Sequence, residues 1–202
     1  MRIAKGKKIC IICEGYEEYD YMESLKNKCV FSNKYDFKLV NVKSINNIVP
    51  RYQEKYQSDS YSLVLIFCDT DKGPSDKYKE IKQKINDFDE RNVANEIIIF
   101  GNPCTMQIIL SHFSQIKLSS QRKSVNSKYI EKLIGIKNYK ATDEQRKMLF
   151  GKIKRDNYNT MKENLKSLST NDEEISSTNF LRFIEKFESE DESWIEEINN
   201  KL

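Results

Sequence analysis

The chain is poor in several residue types: one histidine, one tryptophan, three prolines and six glycines in 202 residues. So little proline and glycine excludes collagen-like and low-complexity classes. No apolar run approaches the roughly 20 residues that span a bilayer. The first apolar run, Ile9 to Cys13, follows a basic stretch, Met1 to Lys8, and is too short for a signal peptide. No Gly-x-x-x-x-Gly-Lys-Ser/Thr occurs, so the chain has no P-loop of its own. One histidine, His112, assembles no serine or cysteine triad, and it reads as a semi-buried helix residue rather than a base. These absences predict a cytoplasmic protein with no membrane partner.

Five cysteines stand at positions 10, 13, 29, 68 and 104. Cys10 and Cys13 form a CxxC, but a zinc site needs four ligands and no second CxxC exists. Both lie in a run that reads as a strand, where residues three apart point to opposite faces. Buried, reduced thiols are the expectation, and they fit a reducing compartment.

The formal charge of +3 is unevenly spread. Residues 1–116 carry 17 basic and 16 acidic side chains. Residues 117–166 carry 14 basic against 5 acidic, and residues 167–202 carry 3 against 10. A block at +9 over fifty residues is either a polyanion surface or a set of solvated helix faces paired with the acidic tail. Within it, Lys147, Lys152, Lys154 and Arg155 are the candidates for nucleic-acid binding; Tyr139 and Tyr158 are the tyrosines that either stack on bases or belong to a core or interface.

The first half alternates strand and helix signals. Lys8–Cys13, Phe37–Val42, Leu63–Cys68 and Glu96–Phe100 read as strands. Helical stripes run over Glu17–Lys28, Ile45–Gln57 (with Pro50 inside it) and Ser75–Arg91, and again from Met106 to Phe113. Ser75 is the expected N-cap of the third helix. This pattern predicts an α/β domain over 1–116 with a mostly parallel sheet covered by helices. Ser119–Asn126 reads as a loop. Helical stripes at 129–134, 148–153, 161–168, 180–187 and 194–198 predict an α-helical C-terminal extension over 117–202, basic at 117–166 and acidic at 167–202.

Three carboxylates stand at strand ends. Glu14 follows the first strand; Asp69 and Asp71 follow the third, in Asp69-Thr70-Asp71-Lys72-Gly73. If the strand order is 2-1-3-4, ligands are expected beyond the carboxyl ends of strands one and three. Three like charges so placed repel unless a divalent cation compensates them. Carboxylate oxygens with no imidazole or thiol suit magnesium or manganese. The plainer alternative is that all three are turn and helix lead-in residues. Glu17 and Glu18 read first as acids favouring a helix N-terminus, and second as ligands of another ion. Asn102, at the end of the fourth strand, either reaches the site or caps the next helix.

The apolar strand ending in Glu14-Gly15 and the later Asp69-x-Asp71 resemble the Toprim domain of topoisomerases, primases and OLD-type nucleases. Ile12-Cys13-Glu14-Gly15-Tyr16-Glu17-Glu18 with Tyr21, and Asn102-Pro103-Cys104 followed by His112-Phe113, resemble the RloB-like family, a Toprim-like group from bacterial defence loci. The resemblance covers about residues 8 to 115, and the Asn-Pro-Cys…His-Phe segment is its more specific part. The family has an aromatic and a glutamate after Asn-Pro-Cys, where this chain has Thr105 and Met106. Gln107 is the nearest polar replacement.

The resemblance implies a magnesium- or manganese-dependent nuclease that hydrolyses DNA or RNA, tRNA included, in antiphage defence. Glu14, Asp69 and Asp71 would be catalytic and would hold the metal, with Glu18 and Asn102 behind them. Glu14 as general acid or base is a further option. An ATPase partner is implied, since the chain has no energy module; a homo-oligomer stays open. The competing expectation is a weakly catalytic or non-catalytic Toprim-like sensor subunit, which Met106 favours.

Overall fold

The structure is a computed structural model that describes residues 6–71 and 74–202. Most of the basic start of the chain and the Lys72-Gly73 pair therefore lie outside the described residues. Among the described residues, no helix is long and apolar enough to cross a membrane.

Five strands form one mostly parallel sheet in the order β2-β1-β3-β4-β5. They are β1 (Lys7–Cys13), β2 (Tyr35–Asn41), β3 (Leu63–Asp69), β4 (Ile98–Asn102) and β5 (Ser177–Thr178). Ile9 to Cys13 and Leu65 to Cys68 are sealed from solvent. An unbroken apolar run rich in β-branched residues suits a strand covered on both faces. Each fully buried isoleucine or leucine contributes about 1.5–3 kcal/mol. β1 pairs in parallel with β2, Lys7 opposite Tyr35 through Cys13 opposite Asn41. It also pairs in parallel with β3, Ile9 opposite Leu63 through Cys13 opposite Phe67. The expected order of the first four strands is thus the observed one. β5 runs antiparallel to β4, a short strand inside a stretch that the sequence reads as helical throughout.

Helices follow the strands. α1 (Tyr16–Asn27) buries Tyr21, Met22 and Leu25. A single 3-10 turn, Ile45–Asn47, leads into α2 (Ile48–Gln57). Pro50 is the third residue of α2, where its missing N–H would have had no helical acceptor, so the helix tolerates it. α3 (Asp76–Phe88) starts where expected, and the Ser75 hydroxyl oxygen accepts from the Tyr78 amide at 3.3 Å.

The fourth strand begins later than the sequence suggests. Ala94–Ile97 forms a short helix, α4, and Glu96 and Ile97 belong to it. The cause is local: the Asn86 side-chain oxygen accepts from the Val93 and Ala94 amides at 2.9 and 2.8 Å and pins the chain in a turn. The remaining helices are α5 (Met106–Ser111), α6 (Lys123–Ile134), α7 (Asp143–Lys152), α8 (Arg155–Leu165), α9 (Phe180–Glu188) and α10 (Ser193–Asn199). α6 takes up part of the expected loop 119–126 and ends at Gly135, whose φ of 81° is left-handed.

The chain forms two compact units that alternate along the sequence. The first comprises residues 6–67, Lys79–Ile99 and Arg182–Leu202. Its aromatic core sets Phe37 against Phe187 at 4.9 Å between ring centroids and Tyr35 against Trp194 at 5.7 Å. The Trp194 indole N–H donates to the Tyr35 hydroxyl at 2.9 Å. The acidic end of the chain is therefore folded here by its apolar face. The second unit comprises Cys68–Tyr78 and Phe100–Leu181. There α8 closes the C-terminal end of α5: Asn164 and Asn157 amides donate to the Ser111 and His112 carbonyls, which the helix itself leaves without donors.

Candidate functional site

Glu14 is the first residue after β1, in the first unit. Its backbone N–H donates to the Phe67 carbonyl at 3.0 Å, continuing the β1–β3 ladder by one bond. Gly15 is the N-cap of α1, and the buried Glu18 carboxylate accepts from the Gly15 amide through Oε2 at 3.0 Å. Glu18 therefore closes the start of the helix in the manner of a capping box. Glu17 shares this first turn.

Asp69 ends β3, in the second unit. Its Oδ1 accepts two hydrogen bonds, from the Thr105 amide at 2.6 Å and from the Thr105 hydroxyl at 2.7 Å. Thr105 is 2% exposed and precedes α5. One oxygen of the expected metal ligand thus anchors the loop after β4, which the sequence did not foretell. An aspartate at the end of one strand and a threonine in the loop after the next, 36 residues apart in the chain, leave no spacing signal.

Asp71 lies in the left-handed region at φ 57°. The turn before it is held by the fully buried Thr70, whose amide donates to the Gly101 carbonyl at 3.1 Å and whose hydroxyl donates to the Asp71 carbonyl at 2.9 Å. Gly101 is needed where it stands: a Cβ there would lie 2.8 Å from the Cys104 carbonyl carbon and oxygen.

Asn102 ends β4 and is fully buried. Its amide nitrogen donates to the Asp172 carbonyl at 2.7 Å, and its Oδ1 has no hydrogen-bond partner among the described residues. The Asp172 carboxylate accepts from the Tyr78 hydroxyl at 2.9 Å. Burial drives the Tyr78 phenol far above its ordinary range, with Cys68 and Asp172 adding to it. Asp172 comes from the acidic tail, so its place beside Asn102 was not readable from spacing.

Gln107 does not replace the missing glutamate. Its side chain is fully buried, with Nε2 donating to the Ile116 carbonyl at 2.6 Å and Oε1 accepting from the Leu118 amide at 2.8 Å. It ties down the loop after α5. His112 is also fully buried, with Nδ1 3.1 Å from the Asn157 carbonyl oxygen. A carbonyl only accepts, so Nδ1 carries the proton. It is the satisfied core histidine of the plainer expectation.

Lys152, Lys154 and Arg155 are exposed where α7 passes into α8, and among the described residues no ion pair holds them. Lys147 is different: its ammonium lies 2.6 Å from Asp143 one turn earlier. Tyr139 and Tyr158 are 3% and 4% exposed. They are core residues: of the two alternatives, their burial selects the core and corrects the idea that they stack on bases.

All five cysteines are free thiols; Cys29 is exposed and the others are buried. Carboxylate oxygens have the right donor chemistry for magnesium or manganese. Among the described residues, however, no three His, Cys, Asp or Glu side chains are grouped so as to hold an ion. Compared with protein-family models, curated proteins and solved structures, the chain has no match in any of the three.

Proposed function

We propose that the chain is a metal-dependent nuclease of Toprim-like, RloB-like character, acting on DNA or RNA. One observation carries this: β1 and β3 are parallel neighbours, β1 is followed at once by Glu14, and β3 ends in Asp69 with Asp71 two residues on. Carboxyl ends of adjacent parallel strands are where α/β sheets bind their ligands. Glu14, Asp69 and Asp71 would hold magnesium or manganese, which would supply charge compensation to a phosphodiester during hydrolysis. The exposed Lys152, Lys154 and Arg155 would hold phosphates without reading sequence. Antiphage defence in the cytoplasm, beside an ATPase subunit, is the setting that the resemblance in Glu14-Gly15 and Asn102-Pro103-Cys104 suggests.

A second reading has its own support. Asp69 Oδ1 is engaged twice by Thr105, and no metal-sized group of acids stands among the described residues. With Met106 in place of the family's glutamate, these favour a Toprim-like sensor subunit without catalysis. Incubating plasmid DNA and total tRNA with the protein and manganese separates the two. Cleavage of either, lost in Glu14→Gln and Asp71→Asn, supports the nuclease; intact substrates in every reaction support the sensor.

A further inference from the structure

β2 is the outer strand of the sheet: β1 pairs with one side of it, and among the described residues no strand pairs with the other. The ladder to β1 shows which groups face outward. The Lys7 amide donates to the Lys34 carbonyl at 2.9 Å, and the Val42 amide donates to the Cys13 carbonyl at 3.0 Å. In a parallel ladder every second residue of a strand sends both its N–H and its C=O to one neighbour. The register is unbroken between those two bonds, so Asp36, Lys38 and Val40 serve β1. Phe37, Leu39 and Asn41 therefore turn their N–H and C=O groups to the open side. Among the described residues no strand and no loop backbone bonds to that row.

Such an edge is a template for a further strand, and proteins blunt it with proline, a bulge, a short strand or charge. β2 has no proline, its register has no bulge, and it is 7 residues long. Lys38 is its one charged guard of positive sign, and Asp36 lies 3.1 Å from it on the same face. Both side chains are about half exposed, and Leu39 and Val40 beside them are half-buried.

The order of these two charges points to the occupant. An antiparallel strand from a second copy meets the outward row only when its own outward residues lie opposite. Setting Phe37 opposite the partner's Leu39 puts Lys38 against the partner's Lys38, a destabilising like-charge pair. Setting Leu39 opposite the partner's Leu39 leaves Lys38 against the partner's Val40, with no charge to meet. Setting Phe37 opposite the partner's Phe37 puts Asp36 against the partner's Lys38, and Lys38 against the partner's Asp36. In that register the two Phe37 residues exchange both backbone bonds, and each Leu39 amide meets the partner's Tyr35 carbonyl.

We propose that the free edge of β2 is a homodimer interface, where two copies join their sheets antiparallel across a twofold axis with Phe37 opposite the partner's Phe37. A twofold contact is self-complementary, so one Asp and one Lys on the same face satisfy each other twice. These cross-strand pairs set the register. The inference goes beyond the nuclease reading and needs no metal.

Sedimentation velocity at rising protein concentration reads the dimer, and hydrogen–deuterium exchange at the same concentrations reads where it forms. The parent dimerises reversibly, and the Phe37 and Leu39 amides gain protection as it does. Asp36→Lys and Lys38→Asp each bring like charges face to face and raise the dissociation constant by about tenfold or more. The double variant, Asp36→Lys with Lys38→Asp, recreates the pairs with their signs exchanged and restores the parent's affinity. Both side chains are at the surface, so the circular dichroism of each variant matches the parent. A parent that stays monomeric at every concentration overturns the proposal and leaves Lys38 as the guard of an unused edge. So do a dimer that leaves the β2 amides unprotected, single variants that dimerise as tightly as the parent, and a double variant no tighter than the singles.

Discussion

Removing the Asp69 carboxylate should loosen the β3–α5 connection by a predictable amount. Asp69 Oδ1 accepts from both the amide and the hydroxyl of Thr105, at 2.6 and 2.7 Å. Hydrogen bonds to a charged acceptor contribute about 1.5–3 kcal/mol each. The two share one oxygen, so they do not add fully, and Asp69 is only partly buried. Asp69→Ala loses both and leaves the buried Thr105 amide without its acceptor, a loss of about 2–4 kcal/mol in all. Asp69→Asn keeps an oxygen in place and loses only the charge assistance, about 1 kcal/mol. Urea denaturation in the presence of a chelator measures both. With a slope of about 2 kcal/mol per molar, the alanine variant unfolds at roughly 1–2 M less urea and the asparagine variant shows a distinctly smaller shift. An alanine variant within about 0.5 kcal/mol of the parent would refute the assignment. Repeating the series with manganese separates anchoring from metal binding. An ion at a hundred times its Kd stabilises the parent by about 2.7 kcal/mol, and a carboxylate that also ligates loses that gain in Asp69→Asn.

Other consequences can be measured separately. Gly101→Ala forces a Cβ to 2.8 Å from the Cys104 backbone, so it should cost at least about 2 kcal/mol in the same urea assay; a neutral variant means the two segments part easily. Reversing Lys152, Lys154 and Arg155 to glutamate should weaken nucleic-acid binding and lower its log-salt slope by about 0.9 for each lost phosphate contact on duplex DNA. Lys147→Glu alone should do less, because that ammonium is already on Asp143; an unchanged slope in the triple variant assigns the patch to another purpose. Burial raises the Asp89 pKa above its ordinary 3.8, and the hydrogen bond from Tyr52 only partly offsets this. A raised folded-state pKa favours the protonated form, so this contribution to stability is full below 3.8 and is lost as pH rises through the folded value. Relative to the parent, Asp89→Asn should therefore gain stability as pH climbs from 3.8 towards neutrality; a gap that stays constant with pH contradicts the burial of that carboxyl.

The sheet was legible because its signals are local. Ile9–Cys13 and Leu63–Cys68 are apolar without interruption, and their shortness and β-branched content mark them as strands covered on both faces. The start of β4 was misjudged by two residues because Asn86, on the preceding helix, caps the turn at Val93 and Ala94; no property of Glu96 or Ile97 announces it. Pro50 looked like an obstacle and is harmless, since its place in the first turn needs no N–H. Side-chain roles were harder to read. Gln107 and Asp69 are polar residues near a suspected site, yet their partners, Leu118 and Thr105, are set by how loops fold back. The basic block was visible as a count, but only the structure distinguishes Lys147, paired within its helix, from Lys152, Lys154 and Arg155.

Manganese titration of the intact protein, followed by the loss of the free-ion electron paramagnetic resonance signal, tests the proposed metal chemistry most directly. Asp71→Asn is the decisive variant, since asparagine tolerates the left-handed backbone at φ 57° and only the charge changes. The nuclease proposal requires one or two saturable sites in the parent protein that weaken by at least about tenfold in Glu14→Gln and Asp71→Asn. A parent protein that leaves the manganese signal untouched, or variants that bind it as tightly as the parent, would contradict a metal site built on these carboxylates.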